Sequence, residues 1–495
     1  MPIKHGSTGV GAVYYGSTAI GRVYHGSTLV FDGAGAPVAS SVWTLDSTYD
    51  AGTDPLAEKD IVFSQAWDEL LIIVDGITIS SGSLRGYCST DGGSTFFSAS
   101  TDYVPIDSNG FLGSPRQEFF YAAGTGGVIQ NFTHIPNARG YDKLLFNAED
   151  YAGSLGAFRG DKANGIDAIR INNTTASTMT AGKIYVYGRN APWSELGSWT
   201  GGVDASASDL DFTGLAGYDE LIMHVDGVGT DTIANRSVRY SDDNGTSFYS
   251  GSTDFRREFT LAGLKSDWQD AIITGNDSTA AKYMHHRLMT AAMQVKAGIG
   301  IGAREDNAAR DPGMISTLTT DPIDALRLTT RGSQLMNSGE VRVYGRELPW
   351  TMIEARNCAS SPAADQDFTD LDAYNELLVI MDGVGASGSS QRLMKLSVDN
   401  GSTFPTGGVG VYTNYSDGSY SSNDYCFALS SNSSAARYGI LHIPSTAATL
   451  KPFLTAGGNA RCGTFRSSSQ VNALRVSSNN ASINLNSGMI YVLGR

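Results

Sequence analysis

The chain has 495 residues and a formal net charge of −15 at pH 7. Because neutralising phosphates requires a surplus of Lys and Arg, this charge argues against nucleic acid as the main ligand. Charged residues make up only 17% of the chain, and its 58 glycines outnumber its 14 prolines. Many turn formers and few helix formers predict an all-β protein.

The first 33 residues contain a ten-residue repeat whose marker is Gly-Ser-Thr, at Gly6, Gly16 and Gly26. Short apolar pieces lie between these turns and predict a β-rich segment. Such a segment is too small to bury a core, so we expect it to pair with another chain or sheet. Asp32–Pro37 is typical of a linker, and the predicted segment spans residues 1–38.

A longer repeat fills the rest of the chain. The apolar phrase Asp68–Gly76 returns as Asp219–Gly227 and as Asn375–Gly383, at offsets of 151 and 156 residues (219 − 68 and 375 − 219). Each copy closes on a Gly-Arg pair, with the arginines Arg189, Arg346 and Arg495. A period near 150 residues matches an independent domain and exceeds that of a solenoid. We therefore predict repeat 1 (39–193), repeat 2 (194–347) and repeat 3 (348–495).

Inside each repeat, short alternating or apolar runs separated by Gly and Asn turns predict a jelly-roll-like β-sandwich. The best candidate for a helix is 280–293. The connectors Ala191–Trp193 and Leu348–Trp350 contain proline, so we expect them to be stiff, with the tryptophans packed into domain junctions. The sequence leaves open whether the three sandwiches stack in a line or close into a triangle.

The pattern Ser-x-Asp-x-Gly-x-(Ser/Thr)-Phe occurs once in each repeat, beginning at Ser89, Ser241 and Ser397. It resembles the Asp box of sialidases, which is a structural hairpin away from the catalytic centre. The aspartate can accept hydrogen bonds from its own turn, and the glycine supplies positive φ. We expect a structural role, with calcium binding as the alternative, for Asp91, Gly93, Asp243, Gly245, Asp399 and Gly401.

Three histidines, His134, His286 and His442, recur at offsets of 152 and 156 residues (286 − 134 and 442 − 286). A lone strand histidine is usually a hydrogen-bonded core residue, and a repeated ligand contact is the alternative. No second histidine or cysteine recurs beside them, which argues against a metal site. They could meet at one axis only if the domains form a ring.

Two sets of arginines also recur, and for both we expect a solvated face, then carboxylate pairing between domains, then glycan binding. They are Arg170, Arg327 and Arg475, and Arg189, Arg346 and Arg495. The repeated aspartates Asp75, Asp226 and Asp382 precede glycine and are interpreted as turn residues at strand ends.

Signatures of catalysis and secretion are missing from the sequence. It has no Gly-x-Ser-x-Gly, His-Glu-x-x-His, phosphate-loop or Rossmann motif, so we predict no enzyme, no catalytic residue, no metal and no cofactor. A glycosidase carboxylate pair stays open, because such pairs carry no local signature. The four cysteines do not recur, which predicts folding in a reducing cytosol. We expect no secretory signal and no membrane insertion.

The opening phrase Ile20–Phe31 resembles the N-termini of bacteriophage tail fibre and minor tail proteins, although the family's closing aromatic is often Trp. The closing Ala-(Ile/Leu)-Arg and Tyr-Gly-Arg phrases resemble the β-sandwich modules of phage fibres and spikes. The resemblance implies a virion protein, commonly a homotrimer, whose N-terminus docks on the particle. The implied anchoring residues are Val13, Tyr14, Gly16, Val23, Tyr24, Gly26, Leu29, Val30 and Phe31.

These observations predict a phage virion structural protein, assembled in the host cytoplasm, with other tail or capsid proteins as partners. We expect a tail fibre or receptor-binding appendage whose sandwich loops meet the host surface, and 409–425 is the first loop to test for glycan binding. A capsid decoration protein or head spike is the alternative, and a glycan-cleaving tailspike-type enzyme is the third reading.

Overall fold

The computed structural model describes the backbone of residues 13–15, 18–20, 22–25, 28–32, 42–99, 102–106, 118–123, 128–141, 143–147, 154–158, 160–232, 234, 236–250, 255–259, 263–265, 272–273, 282–304, 313–317, 320–330, 334–404, 411–414, 420–423, 427–448, 450–456 and 461–495. For some of these strands only the backbone is described.

The N-terminal segment forms two antiparallel hairpins. They consist of β1 (Val13–Tyr15) with β2 (Thr18–Ile20) and β3 (Arg22–His25) with β4 (Thr28–Asp32). Each connection falls on a Gly-Ser pair of the ten-residue repeat, and the glycines Gly16 and Gly26 lie outside the described residues. The side chains of the predicted anchoring residues also lie outside the description. Within the described residues, neither hairpin shares a sheet with a sandwich strand.

Repeat 1 consists of two antiparallel sheets, ordered β5-β15-β7-β11-β12-β13-β9 and β10-β8-β14-β6. Its strands are β5 (Thr44–Asp50), β6 (Glu58–Val62), β7 (Glu69–Ile79), β8 (Ser83–Ser89), β9 (Tyr103–Ile106), β10 (Phe120–Ala123), β11 (Val128–Ile135), β12 (Lys143–Asn147), β13 (Ser154–Phe158), β14 (Ala168–Asn173) and β15 (Met179–Arg189).

Repeat 2 has sheets ordered β16-β27-β18-β23-β24-β25-β20-β21 and β17-β26-β19-β22. Its strands are β16 (Ser194–Thr200), β17 (Asp209–Phe212), β18 (Glu220–Thr230), β19 (Arg236–Ser241), β20 (Phe255–Phe259), β21 (Gly263–Lys265), β22 (Ile272–Ile273), β23 (Lys282–Leu288), β24 (Gly298–Arg304), β25 (Gly313–Thr317), β26 (Ala325–Thr330) and β27 (Met336–Arg346).

Repeat 3 has sheets ordered β28-β39-β30-β35-β36-β37-β32-β33 and β29-β38-β31-β34. Its strands are β28 (Thr351–Asn357), β29 (Asp365–Phe368), β30 (Leu377–Ala386), β31 (Ser390–Ser397), β32 (Val411–Asn414), β33 (Tyr420–Asn423), β34 (Phe427–Ser433), β35 (Arg437–Ile443), β36 (Leu450–Ala456), β37 (Arg461–Arg466), β38 (Ala473–Ser478) and β39 (Leu485–Gly494).

The apolar phrase of each repeat forms the central strand of the large sheet and is buried on both faces. In β7, Leu70, Ile72 and Val74 point into the core of repeat 1, where they meet side chains of the small sheet. Leu71 and Ile73 alternate to the opposite face and pack against repeat 3. Because neighbouring strand residues point to opposite faces, one continuous apolar run serves both a domain core and a contact between domains.

The Asp-Gly pair of this phrase does not end the strand, contrary to the prediction. Gly76 has a φ of 68°, and β7 continues beyond it to Ile79 with an irregular register against β15. Across the bulge, a Cβ on Gly182 would lie 2.3 Å from the backbone of Gly76. The phrase therefore needs glycine for a β-bulge and a close backbone approach.

The predicted all-β class, with three tandem jelly-roll-like β-sandwich repeats after a short β-rich segment, is confirmed. The suggested helix at 280–293 is wrong, because Lys282–Leu288 is strand β23, paired with β18 and β24. Met284 and Leu288 lie in the core of repeat 2, while His285 on the alternate face contacts His224. This two-residue alternation decides for a strand. In the described residues, no helix is long and apolar enough to cross a membrane.

Candidate functional site

The three sandwiches close into a ring, held at its centre by ion pairs between repeats. Arg189 of repeat 1 pairs with its own Glu69 and lies 2.6 Å from Glu376 of repeat 3. Arg346 of repeat 2 contacts Glu69 of repeat 1 at 2.9 Å. Arg495 of repeat 3 contacts Glu220 of repeat 2 at 3.0 Å. Each arginine thus reaches the next repeat in one cyclic direction, so the arrangement is a triangle with a pseudo-threefold axis.

Strand register places these charges together. Glu69 begins β7 and pairs directly with Arg189 at the end of β15. Glu220 and Arg346 pair in the same way between β18 and β27. In repeat 3, the Arg495 guanidinium lies 2.7 Å from Glu376. Each repeat therefore brings one glutamate and one arginine to the same end of its large sheet.

A tryptophan covers each arginine and joins two repeats. The guanidinium carbons lie 4.6, 4.5 and 4.1 Å from the ring centroids in the pairs Arg189–Trp43, Arg346–Trp193 and Arg495–Trp350. The indole of Trp43 donates to the Pro444 carbonyl at 2.5 Å, and that of Trp193 to the Pro136 carbonyl at 2.6 Å. Trp350 donates to a Glu220 oxygen at 3.3 Å. Trp193 and Trp350 therefore occupy the junctions predicted for them.

Two of the three repeated histidines meet at the axis, and an arginine takes the place of the third. His134 pairs in register with Leu71, and His442 with Leu378. The equivalent pairing in repeat 2 is between Ile222 and Arg287. The rings of His134 and His442 lie 6.5 Å apart, and both face glutamates of the cluster.

His286 needs a correction, because the sequence offset places it one residue away from the equivalent position. A shift of one residue turns a strand side chain to the other face of the sheet. His286 accordingly points into repeat 2, where its Nε2 is hydrogen bonded to the hydroxyl of Tyr240. It is a core histidine, whereas Arg287 contacts Glu220 at 3.0 Å.

We call the central group the axis cluster. It comprises Glu69, Glu220, Glu376, Arg189, Arg287, Arg346, Arg495, His134 and His442. All of these side chains are buried. Burial opposes ionisation of Glu220, but Arg287, Arg346 and Arg495 overcome it and lower its pKa to about 2. Burial lowers the pKa of His134 to about 4, against the opposing pull of Glu69. At neutral pH the cluster therefore combines three carboxylates and four guanidiniums with neutral imidazoles.

Two of the three contacts between repeats are built mainly from apolar side chains. In the joint between repeats 3 and 1 (joint 3–1), the outer face of repeat 1 meets Ala448 and Leu450. In the joint between repeats 2 and 3 (joint 2–3), the outer face of repeat 3 meets Met289, Val295 and Ala297. The receiving faces are built from Leu71, Ile73, Phe132 and Tyr187 in repeat 1 and from Leu378, Ile380, Ile440 and Leu493 in repeat 3.

The joint between repeats 1 and 2 (joint 1–2) is polar. Lys162 of repeat 1 lies 3.4 Å from Asp226 and 3.0 Å from Glu340 of repeat 2. The guanidinium of Arg342 lies 3.8 Å from the ring centroid of Tyr141 in repeat 1. Charged groups thus stand where the other two joints have mainly apolar contacts.

Two of the three repeated aspartates before glycine also take part in contacts between repeats, which their interpretation as turn residues missed. Asp226 forms an ion pair with Lys162 in joint 1–2, and Asp75 forms one with Arg466 of repeat 3 in joint 3–1. The bulge turns these carboxylates toward the neighbouring sandwich. The local sequence carries the bulge, while the partner cation lies in another repeat.

The Asp-box turns lie at the periphery and have the geometry of a structural hairpin. Asp91 accepts hydrogen bonds from the Thr95 amide at 2.9 Å, the Thr95 hydroxyl at 2.6 Å and the Ser89 hydroxyl at 2.8 Å. These bonds lower the pKa of Asp91 to about 2. Asp243 and Asp399 make the same set of bonds, and Gly93, Gly245 and Gly401 have φ angles of 81°, 82° and 81°.

The small, four-stranded sheet of each repeat, here called its outer sheet, carries an arginine that covers the aromatic ring of this hairpin. Arg170, Arg327 and Arg475 lie over Phe96, Phe248 and Phe404 at 4.2, 4.0 and 4.3 Å. Each makes a bidentate pair with an aspartate of the neighbouring strand: Asp60, Asp211 or Asp367. This is the solvated-face role expected of a strand arginine whose stem covers apolar surface.

Sequence reasoning missed three buried lysines, Lys143, Lys296 and Lys451. Their ammonium groups donate to backbone carbonyls: Lys143 to Gly140 and Asp161, Lys296 to Met293 and Lys451 to Ser467. They recur at offsets of 153 and 155 residues (296 − 143 and 451 − 296), and this recurrence could have marked them in the sequence as equivalent residues of the three repeats. By holding the loops beside β12, β24 and β36, they shape the segments that enter the joints.

Chemically, the axis cluster can hold three domains together, because its acids are engaged by arginines of two repeats. In the described part of the chain, no three His, Cys, Asp or Glu side chains are grouped so as to hold a metal ion. Cys88 and Cys358 are free thiols, and burial raises the pKa of Cys88 to about 12. Cys426 and the side chain of Cys462 lie outside the described residues.

No family model and no curated protein match the chain. Among solved structures, it is similar to a chain in the atomic structure of Sulfolobus turreted icosahedral virus, with 11% identity, a TM-score of 0.13 and coverage of 60% of this chain and 90% of that one. Domains LG4-5 of the mouse laminin alpha1 chain give 10% identity, a TM-score of 0.15 and coverages of 62% and 91%. Such TM-scores leave both the fold and the function to be argued from the chain itself.

Proposed function

We propose that the protein is a bacteriophage virion structural protein, and more specifically a tail fibre or receptor-binding appendage. The observation that carries this proposal is the division of labour within the chain. Three sandwiches lock into one ring through the axis cluster, while the N-terminal hairpins belong to sheets of their own. A rigid head with a separate docking segment is what an appendage on a particle requires.

The resemblance of the first 31 residues to phage tail proteins supports the anchoring role. Hairpins of two short strands are marginally stable alone and expose unpaired backbone groups at their edges. Pairing with a strand of another virion protein would satisfy those groups. The segment therefore acts as the anchor, and tail or capsid proteins are its partners.

The ring also bears on oligomeric state. A threefold arrangement of sandwiches forms within one chain, so a single copy already presents a trimeric head. A homotrimer of the whole chain stays a prediction, and it would carry nine sandwiches around two kinds of threefold axis. Sedimentation of the purified full chain would distinguish a monomer from a trimer.

Host contact is assigned to loops at the ends of the sandwiches, which are the exposed connections of the fold. Of the segment 409–425, strands β32 and β33 form an antiparallel hairpin at the sheet edge, and the remainder lies outside the described residues. Incubation with host polysaccharide tests this assignment. Retention without cleavage supports an adhesin, and released oligosaccharide would contradict the prediction that the protein is not an enzyme.

Deletion of residues 1–38 tests the anchor. The truncated protein is expected to keep the thermal unfolding profile of the ring but to be absent from particles assembled in its presence. A matched control replaces the exposed Val203 of repeat 2 with Ser and should be incorporated like the natural chain. Incorporation of the truncated protein at the natural level would overturn the proposed role of the segment.

A capsid decoration protein or head spike is the second candidate. The pseudo-threefold symmetry favours it, because one chain would match a threefold position on a capsid shell without requiring three copies. Gold labelling of intact particles against this protein separates the two: label at the tail supports the appendage, and label spread over the head supports the decoration protein.

A further inference from the structure

Joint 1–2 carries a histidine pair at positions that are aliphatic or aromatic in the other two joints. In repeat 2, His224 of β18 pairs in register with His285 of β23. The equivalent pairs are Ile73 with Phe132 in repeat 1 and Ile380 with Ile440 in repeat 3. The same place on the ring is therefore titratable in one joint and apolar in two.

The two imidazoles are stacked and share a hydrogen bond. Their Nδ1 atoms lie 2.8 Å apart, and their ring centroids are 4.4 Å apart with an interplanar angle of 9°. Each residue is only 3% exposed. One Nδ1 must donate a proton while the other accepts it, so at most one ring can be protonated without losing the bond. A second proton would place two like charges in contact away from water.

Charged groups of both signs surround the pair in the described part of the chain. Asp226 of β18 and Glu340 of β27 are shared with Lys162 of repeat 1. Arg342 of β27 lies 2.9 Å from Glu195 of β16 and stacks on Tyr141 of repeat 1. Arg287 of β23 lies at the axis beside Glu220. Each of these four carboxylates pairs with a cation, and the contact between two protonated rings is what opposes the second proton.

We propose that joint 1–2 is the acid-sensitive joint of the ring. Protonation of both His224 and His285 separates the outer face of repeat 2 from repeat 1, while joints 2–3 and 3–1 stay closed through their apolar contacts. The chain remains continuous across the opening at 190–193, which becomes the hinge. This inference concerns the ring itself and does not depend on the proposed virion role.

Each joint contains its own tryptophan reporter: Trp193 in joint 1–2, Trp350 in joint 2–3 and Trp43 in joint 3–1. The full chain, labelled with 5-fluorotryptophan, is titrated from pH 7.5 to 5.0 by fluorine NMR, with the six resonances assigned by single Trp→Phe variants. The Trp193 resonance is expected to move toward the value of solvent-exposed 5-fluorotryptophan below about pH 6.5. Its solvent isotope shift should rise in the same range, while the resonances of Trp43 and Trp350 hold.

Two double variants copy the natural pairs of the other repeats: His224→Ile with His285→Ile, and His224→Ile with His285→Phe. Both keep His134 and His442, so any acid response that originates at the axis survives in them. At least one variant that is folded at pH 7.5 should hold the Trp193 resonance unchanged down to pH 5.0. Movement of all three reporters with one midpoint, no movement of Trp193 in the natural chain, or the natural titration in a folded double variant would each overturn the proposal.

Discussion

Both sets of repeated arginines combine a guanidinium with a carboxylate and an aromatic ring, but they do so in different places in the molecule. On the outer sheets, Arg327 pairs with Asp211 and covers Phe248 within one repeat. At the axis, Arg346 pairs with glutamates of two repeats and covers Trp193. Side chains of the outer pair are 23% and 38% exposed, whereas those of the axis pairs are fully buried. Location, not chemistry, separates a local clamp from a contact between domains.

This difference has energetic consequences. An exposed ion pair contributes about 0–1 kcal/mol, because water competes for both partners. A buried pair adds little over an apolar contact, but removing one partner leaves an uncompensated charge and costs about 3–5 kcal/mol. The axis cluster therefore makes any two repeats dependent on the third, whereas each outer clamp affects only its own hairpin.

Replacing Glu220 with Gln should give the largest effect. Its carboxylate serves Arg287, Arg346 and Arg495, and neutralising it leaves these guanidiniums facing one another in a buried site. We expect a loss of about 3–5 kcal/mol in the free energy of unfolding, measured by urea denaturation. The matched control, Asp211→Asn, removes an exposed carboxylate that pairs with an arginine. Equal losses in the two variants would contradict the comparison.

The stability lost in Glu220→Gln should depend on pH, because the effect requires that Glu220 is ionised. The pKa of Glu220 is lowered to about 2, so its stabilising contribution is complete above the ordinary value of about 4.5 and is lost as the pH falls toward 2. The difference in unfolding free energy between the natural chain and Glu220→Gln should stay constant from pH 7 to 5. It should then shrink below pH 4.5. A difference that already falls between pH 7 and 5 would mean that another group carries the effect.

The sandwiches could be predicted from the sequence because each strand is marked by the residues within it. The phrase Asp68–Gly76 and its two later copies predict a strand in each repeat, and the spacing of the copies gives the length of the repeat. The ring was out of reach because Glu376 and Arg189 are 187 residues apart and belong to different repeats. Nothing near Glu69 marks it as buried. Grouping His286 with His134 and His442 by residue count overlooked a one-residue shift along the strand, which reverses the face of the sheet that a side chain occupies.

Replacing Asp219 with Asn should have a smaller effect of opposite sign on the free energy of unfolding. Burial and the neighbouring charge of Glu220 raise its pKa to about 6, so the folded state disfavours the carboxylate above that pH. Asp219→Asn should therefore stabilise the chain at pH 7.5, with the gain fading as the pH falls through 6 toward 4. Because the side chain is only half-buried, solvent screening limits the gain to about 1 kcal/mol or less. Repeat 3 carries Asn375 at the equivalent position, so the variant copies a natural solution, and destabilisation at pH 7.5 would contradict it.

Arg327→Ala should have the smallest effect of the series. The variant loses an exposed bidentate pair with Asp211 and uncovers the ring of Phe248, for a cost of about 1 kcal/mol or less. Hydrogen exchange should rise in the hairpin at 241–248 and stay unchanged in β18 and β27, because the clamp does not reach the axis. The comparison variant Arg346→Ala should instead raise exchange in all three central strands, β7, β18 and β30. If Arg327→Ala loosened those strands as well, the outer clamps would belong to the mechanism that closes the ring, and the division between local and connecting arginines would fail.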